Sequence, residues 1–458
     1  MGATATKMVS AANSERRALV VGLGKTGLSC ARFLAAHGVE VAVTDSRSQP
    51  PALAALREAL PDAAVFVGGF EEAAFSHADT IVLSPGVSRS EPLVQAAEAR
   101  GASIIGDIEL FARHADAPVV AITGSNGKST VTTLLGEMAR AAGRDVRVGG
   151  NLGIPALDLL VEGEAPDLYV LELSSFQLET TYSLNAAAAA VLNVSEDHLD
   201  RYAGMDDYVG AKARIFQGDG MAVINVDDPR VAALAAELPP ARVVRFGLGT
   251  PSGDDFGVCR HDGAPWLCRG AESLLAVDEL GLRGWHNVAN ALAGLALGEA
   301  VGLERAAMLS VLHSFTGLPH RSQFVAERDG VAWFNDSKGT NVGATLAALR
   351  GLPGERIVLI AGGQGKGQDF SPLRPALAER GRAAVLIGQD APLIETGLGG
   401  VVPVEHAPDM AAAVAAARRL AHGGDSVLLS PACASFDMFS GYEERGEVFM
   451  ARVREELA

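Results

Sequence analysis

The chain has 458 residues, 48% of them apolar, and its 38 Lys and Arg against 55 Asp and Glu leave a formal charge of −17. That length suits about three domains with separate cores and excludes a disordered or fibrous chain. So acidic a surface repels phosphate backbones and anionic lipid, so no nucleic acid partner and no membrane insertion are expected.

Residues 1–14 read as a loose leader, and the apolar stretch that follows, Ala18 to Val21, is too short for a signal-peptide core. Beyond it, short β-branched runs alternate with Ala/Leu-rich helical stretches. ALVVG precedes a helix over Leu28–His37; EVAVTD, TIVLSPG, VVAITG, YVLELS, AAVLNVS, MAVINVDD, IVLIAGG, AAVLIG and SVLLSPA follow. Runs apolar at consecutive positions predict parallel strands covered on both faces, hence α/β domains. A fresh strand–loop–helix unit after Gly106 sets the first boundary. Leu248–Gly284, rich in Gly and Asp, reads as a small antiparallel insert or extended loops. A helical stretch over Asn287–Leu312 runs into Gly317-Leu-Pro-His-Arg321, where Pro319 sets the second boundary. The expected domains are therefore 1–106, 107–317 and 318–458. Cys30, Cys259, Cys268 and Cys433 form no C-x-x-C pair, so reduced thiols and a cytoplasmic location are expected.

Phosphate chemistry has two candidate seats. Gly22-Leu-Gly-Lys-Thr-Gly27 lies between a strand and a helix, and the next strand ends at Asp45. This fits a dinucleotide fingerprint with the acid on a ribose, or glycines serving close helix–strand packing; Ser84-Pro-Gly86 faces the same crevice. The stronger signal is Thr123-Gly-Ser-Asn-Gly-Lys-Ser-Thr130. Gly124 and Gly127 let the backbone, with Ser125 and Asn126, wrap a phosphate at a helix N-terminus. Lys128 can reach the β/γ oxygens, and the Ser129 or Thr130 hydroxyl can ligate Mg²⁺. Ile122 stands where a full Walker A has its first glycine.

Glu172 and His198 fall at the C-terminal ends of two strands, where a carboxylate and an imidazole near a triphosphate can ligate magnesium. Lys212 looks on spacing like an ordinary helical lysine. Arg321 offers a guanidinium for phosphate. The loops Asn335–Asn341, Gly362–Lys366 and Ser430–Ser435 each follow a strand and suggest a second anionic substrate.

These pieces together resemble the Mur ligase family, at its D-glutamate-adding branch. GGNLG (149–153), LELSSFQLE (171–179), NVSEDHLDRY (193–202), WHNVANALA (285–293), FTGLPHR (315–321), NDSKGTN (335–341), GGQGK (362–366) and SPACASFD (430–437) occur in family order from about Ala18 to Leu457. The resemblance implies a Rossmann-like N-terminal domain for the UDP end of the substrate, a central P-loop-type ATPase and a Rossmann-like C-terminal domain for the amino acid. It implies an ATP-dependent ligase of peptidoglycan precursor synthesis, acting as a monomer, that joins D-glutamate to UDP-N-acetylmuramoyl-L-alanine with two Mg²⁺ ions. Lys25, Thr26, Asp45, Ser46, Arg47, Ser84 and Gly86 would line the uridine nucleotide site, and Asn151 and Gln177 would position the muramoyl portion. Asn287, Asn290, Arg321 and Asp336 would close over ATP. Lys338, Thr340, Lys366 and Ser435 would bind D-glutamate, with Tyr442 packing nearby. The lysine matching Lys212 is carbamylated in similar ligases, which makes it a magnesium ligand. Tyr442 stands where Phe is usual, Gly339 where Ala is common and Gln323 where an acid often follows the Arg.

Other readings are an amide-forming ligase of the folylpolyglutamate type, a Mur ligase adding a diamino acid, and an NAD-dependent oxidoreductase. The first lacks a use for Gly22–Gly27, and the last leaves the Thr123–Thr130 loop idle. The diamino-acid ligases carry D-N-P-R in their last domain, whereas Asp227-Asp-Pro-Arg230 lies in the middle of this chain.

Overall fold

Three separate sheets organise the chain in a computed structural model that describes residues 17–161, 163, 165–197 and 201–457. The leader at residues 1–14 and His198 lie outside the described residues.

The first sheet contains β1 (Arg17–Val21), β2 (Glu40–Asp45), β3 (Ala64–Val67), β4 (Thr80–Leu83) and β5 (Ser103–Ile105), all parallel, in the order β3-β2-β1-β4-β5. The order reverses between β1 and β4, so the loops after these two strands diverge into a crevice at the strand C-termini, where open α/β sheets take their ligands. Gly27 sits in the helix Lys25–Ala36, which begins earlier than the Leu28 expected from sequence. A Cβ on Gly27 would lie 1.9 Å from the Gly22 carbonyl oxygen, so only glycine lets that helix approach β1 so closely.

The second sheet runs through β6 (Val119–Thr123), β7 (Val146–Gly150), β8 (Leu168–Glu172), β9 (Ala188–Val191), β10 (Met221–Asn225), β11 (Val243–Phe246), β12 (Phe256–His261), β13 (Ala264–Arg269) and β14 (Glu272–Ala276). Their order is β14-β13-β12-β11-β10-β9-β6-β8-β7. The central strand β6 is buried along its whole length, as its unbroken apolar run requires. The helices Lys128–Ala141 and Trp285–Ala300 pack on one face through Leu134, Leu135, Met138, Ala291 and Leu295. The Gly/Asp-rich segment forms the antiparallel meander β12–β14, which extends the edge of this sheet.

Two expectations change here. The stretch Asn287–Leu312 is not one helix: Trp285–Ala300 stops, Gly302 turns at φ +73°, and Arg305–Ser314 starts afresh. The Glu304 carboxylate accepts from the Ala306 and Ala307 amides, so it caps the second helix and fixes the break. Of the four cysteines, Cys30 and Cys433 are free and buried, but Cys259 and Cys268 form a disulfide. The antiparallel register places Cys268 opposite Gly257, two residues from Cys259 on the same strand face, which brings the sulfurs together.

The third sheet holds β15 (Gln323–Arg328), β16 (Val331–Asn335), β17 (Ile357–Gly362), β18 (Gly381–Ile387), β19 (Val404–His406) and β20 (Ser426–Leu429), in the order β15-β16-β20-β17-β18-β19. Only the β15–β16 pair is antiparallel. The loops after β16, β17 and β20 therefore emerge side by side at one end of this sheet.

Candidate active site

The crevice of the first sheet opens into a cavity of about 570 Å³ shared with the second domain. Lys25, Thr26, Asp45, Ser46, Arg47, Ser84, Gly86, Asn151 and Gln177 all line it. Phe70, Val87 and Pro155, which the sequence did not single out, complete the walls. Asp45 organises the mouth. Its carboxylate accepts from the Leu23 amide at 2.7 Å, from the Arg47 amide at 2.9 Å and from both arms of the Arg47 guanidinium. Burial alone would raise this carboxyl, but the Arg47 side chain and the two amides more than offset it and hold it at about 2. Ser84 Oγ donates to the Gly22 carbonyl at 2.7 Å and ties the two nucleotide loops together.

On the second-domain wall, Gln177 is held on every side. Its Oε1 accepts from the Ser174 amide and hydroxyl, which closes a capping box on the helix Ser175–Glu179, and its Nε2 donates to the buried Asp107 carboxylate at 2.9 Å. Asn151 bridges inward, donating to Glu172 Oε1 at 2.7 Å. The other oxygen of Glu172 is buried without a hydrogen-bond partner. A buried carboxylate oxygen left unpaired is costly, and a cation next to it removes that cost.

The loop Thr123–Thr130 leaves β6 and enters the helix Lys128–Ala141. Gly127 holds it in the left-handed region at φ +82°, and a Cβ there would lie 2.5 Å from Asn290 Oδ1. Ser125 and Asn126 are fixed by the segment after β9: Ser125 Oγ donates to the Ser195 carbonyl, and Asn193 bonds both the amide and the carbonyl of Asn126. Lys128 Nζ donates to the Gly124 and Ser125 carbonyls at 2.9 and 3.0 Å, and Lys212 Nζ donates to the same Gly124 carbonyl at 3.0 Å. Both lysines are pushed down, first by burial. Nearby cations add to this, Arg321 for Lys128 and Lys128 for Lys212, while Glu172 and Asp197 act in the opposite direction. Lys212 is 1% exposed and stacks over the Tyr208 ring at 4.5 Å, so it is not the solvated helical lysine its spacing suggests.

Asn126, Gly127, Thr130, Asn287, Asn290, Arg321 and Asp336 line a second cavity, between the second and third domains. Gly124, Ser125, Lys128 and Ser129 belong to the loop beneath it. His286, Asn193 and Asn225 also line this cavity, unassigned from sequence. Asn290 donates to Asn287 Oδ1 at 3.0 Å, and Arg321 crosses from the third domain to donate to Ser129 Oγ at 2.9 Å. Asp336 accepts from the Ser322 amide and the Ser430 hydroxyl, yet burial lifts its carboxyl to about 6.

In the third domain the structure brings Lys338 directly over the Tyr442 ring at 3.6 Å, with Thr340 two residues on in the same loop. Lys366 and Ser435 lie on the loops after β17 and β20, which Gln364 and Ala434 join by paired backbone bonds of 2.9 Å. Burial, and then Arg321, lower the Lys338 ammonium to about 8. Sequence reading missed Arg445. This buried guanidinium donates to Ser337 Oγ and the Ser337 carbonyl at 3.0 and 2.8 Å and to the Cys433 carbonyl at 3.1 Å, so it pins two of these loops together. The signal was present: Arg445 shares the helical stripe of Phe449 and Val453.

Among the described residues no group of three His, Cys, Asp or Glu could hold a metal. The available oxygens, Ser129 Oγ and the unpartnered Glu172 carboxylate oxygen, are hard donors that suit Mg²⁺. Asp227-Asp-Pro-Arg230 has a structural use, since Asp228 caps the helix Pro229–Leu234 and accepts from the Val194 amide at 2.7 Å.

The N-terminal domain of MurD-like Mur ligases matches residues 16–106, the Mur ligase middle domain 122–298, and the Mur ligase glutamate ligase domain 320–433. A UDP-N-acetylmuramoylalanine–D-glutamate ligase from Nitrosococcus oceani is 58% identical over 96% of this chain and 97% of its own length. One of the same name from Pseudomonas syringae pv. tomato is 55% identical over 96% and 98%. Among solved structures, MurF from Acinetobacter baumannii superposes with a TM-score of 0.60 at 19% identity, covering 96% of this chain and 90% of that one. MurC from Thermotoga maritima does so with a TM-score of 0.59 at 18% identity, covering 96% and 99%; at such identities these two speak for the fold alone. With three consecutive domain matches and relatives this similar over nearly the whole length, the chain belongs to the Mur ligase family.

Proposed function

We propose that the chain joins D-glutamate to UDP-N-acetylmuramoyl-L-alanine, with ATP converted to ADP and phosphate, as a cytoplasmic monomer with domains at 1–106, 107–317 and 318–458. The carrying observation is Asn151, which lines the first-domain cavity while bonding Glu172 beside the phosphate loop, so substrate and triphosphate would meet at one carboxylate. The relatives named for this reaction support the choice of substrates.

The uridine nucleotide would rest on Lys25, Thr26 and the Asp45–Arg47 turn, with Asn151 and Gln177 aiming the alanyl carboxylate inward. That carboxylate attacks the γ-phosphorus in line, forming an acyl phosphate as the bond to the β-phosphate oxygen breaks. Lys128 and Arg321 stabilise the charge gathered there. The D-glutamate amine, oriented by Lys338, Thr340, Lys366 and Ser435 beside Tyr442, attacks the acyl carbon, and phosphate leaves from the tetrahedral intermediate. Ser129, Glu172 and His198 would hold magnesium, with Lys212 as a further ligand once carbamylated. Bound magnesium offsets the repulsion between a carboxylate and a triphosphate. Burial and the Lys128 charge favour the neutral amine of Lys212, the form that adds carbon dioxide.

The test is a coupled assay. Release of ADP and phosphate only when D-glutamate and UDP-N-acetylmuramoyl-L-alanine are both present supports the reading. Turnover with another acceptor alone, or hydride transfer to a nicotinamide, refutes it.

A further inference from the structure

We infer that Arg201, a residue of the ATPase domain, is a positioning residue for the nucleotide-linked substrate, because it holds the first-domain loop that walls the nucleotide cavity. The inference rests on the function proposed above. The loop after β4 turns through Ser84, Pro85, Gly86 and Val87, all of which line that cavity. Its own domain secures the Ser84 end, through the Ser84 amide on the Val21 carbonyl and the Ser84 hydroxyl on the Gly22 carbonyl. The far side is held from across the domain boundary. The Arg201 guanidinium donates to the Pro85 carbonyl at 2.7 Å and to the Val87 carbonyl at 2.9 Å, a two-pronged grip that spans the turn.

The same guanidinium is fixed on its other side by the helix Ser175–Glu179, which carries Gln177 into the cavity. It lies 4.0 Å over the Phe176 ring and 3.6 Å from the Glu179 carboxylate. Its neighbour Tyr202 stacks on Phe176 and donates to Glu179 Oε1 at 2.5 Å. Arg201 thus sets the distance between the two walls of one cavity, the Pro85–Val87 turn and the Gln177 helix. A planar fork anchored on an aromatic face and a carboxylate gives the turn one position, which a flexible ammonium does not. The side chain is 13% exposed, so these bonds are sheltered from water and count for more than surface ones.

The experiment uses the full chain with Arg201→Lys and Arg201→Ala. Calorimetry measures binding of UDP-N-acetylmuramoyl-L-alanine and, separately, of ADP with magnesium, and steady-state assays give KM for each substrate. The lysine variant keeps the cation over Phe176 but not the fork, so it remains informative if the alanine variant folds poorly. Losing one charge-assisted bond predicts about tenfold weaker binding of the UDP substrate by the lysine variant, and losing both predicts about a hundredfold for the alanine variant. ADP affinity and kcat at saturation should stay within about twofold of wild type, a split that general loosening does not produce. Unchanged affinity for the UDP substrate in the lysine variant overturns the inference, as does equal weakening for ADP. If the wild-type protein itself does not bind the UDP substrate, the proposed function fails instead.

Discussion

Replacing Arg445 by methionine should separate two loops of the proposed amino-acid site while leaving the Thr123–Thr130 loop intact. The guanidinium is charged at neutral pH even though burial lowers its pKa to about 10. That lowering corresponds to about 3 kcal/mol of unfavourable desolvation, which methionine, of similar length and without charge, recovers. Against this stand three bonds of 2.8–3.1 Å, to Ser337 Oγ, the Ser337 carbonyl and the Cys433 carbonyl. Bonds to a charged donor contribute about 1.5–3 kcal/mol each, so the balance is a local loss of about 3 kcal/mol. Hydrogen exchange read by mass spectrometry should then speed up about a hundredfold in residues 336–341 and 430–437. The KM for D-glutamate should rise at least about tenfold, and that for ATP by less, because Asp336 at the start of the first loop also lines the nucleotide-side cavity. Arg445→Lys, able to reach only one loop, should fall between. Exchange unchanged in both loops together with an unchanged KM for D-glutamate would refute the clamp.

The nucleotide loop offers a sharper steric test. Gly127→Ala must place a Cβ 2.5 Å from Asn290 Oδ1 at φ +82°, so ADP binding measured by calorimetry should weaken by about tenfold or more, with the UDP substrate still bound. Lys338, lowered to about 8 by burial and Arg321, is protonated below that pH and neutral above it. Inhibition by glutarate, an anion that does not titrate there, should therefore be strongest below about pH 8 and weaken by up to about tenfold per unit above it; a flat profile removes Lys338 from anion binding. Lys212→Ala should lose activity by about a hundredfold or more. Carbon-13 bicarbonate should give the wild-type enzyme a carbamate resonance that this variant lacks, and full activity in the variant would discard the carbamate.

Much of the fold was readable because parallel sheets leave a plain mark. The run Val119–Thr123 is apolar at every position because both faces of β6 are covered, and the Gly-rich loop behind it had to lie at that sheet's C-terminal edge. The same logic put the Gly22–Gly27 loop, Asp45 and Ser84–Gly86 around one crevice, while Ser46 and Arg47 came from the family resemblance. What stayed hidden depended on partners distant in sequence. The break at Gly302 follows from a cap by Glu304, a weak local signal inside an otherwise continuous helical pattern. Arg201 and Arg445 acquire meaning only from carbonyls more than a hundred residues away in sequence. Nothing in composition marks a backbone carbonyl as waiting for a guanidinium. The Cys259–Cys268 pair depended in the same way on the register of two antiparallel strands of the meander.

The bond from Arg321 to Ser129 Oγ carries a consequence for the order of events. A hydroxyl that accepts from a guanidinium would also have to serve a divalent ion, and two cations crowding a single oxygen repel strongly away from bulk water. A triphosphate bound on this loop would supply negative charge for both. With Ser129 as a proposed magnesium ligand, Arg321 would have to leave this hydroxyl for the incoming phosphate, so the guanidinium would serve the nucleotide only once it is bound.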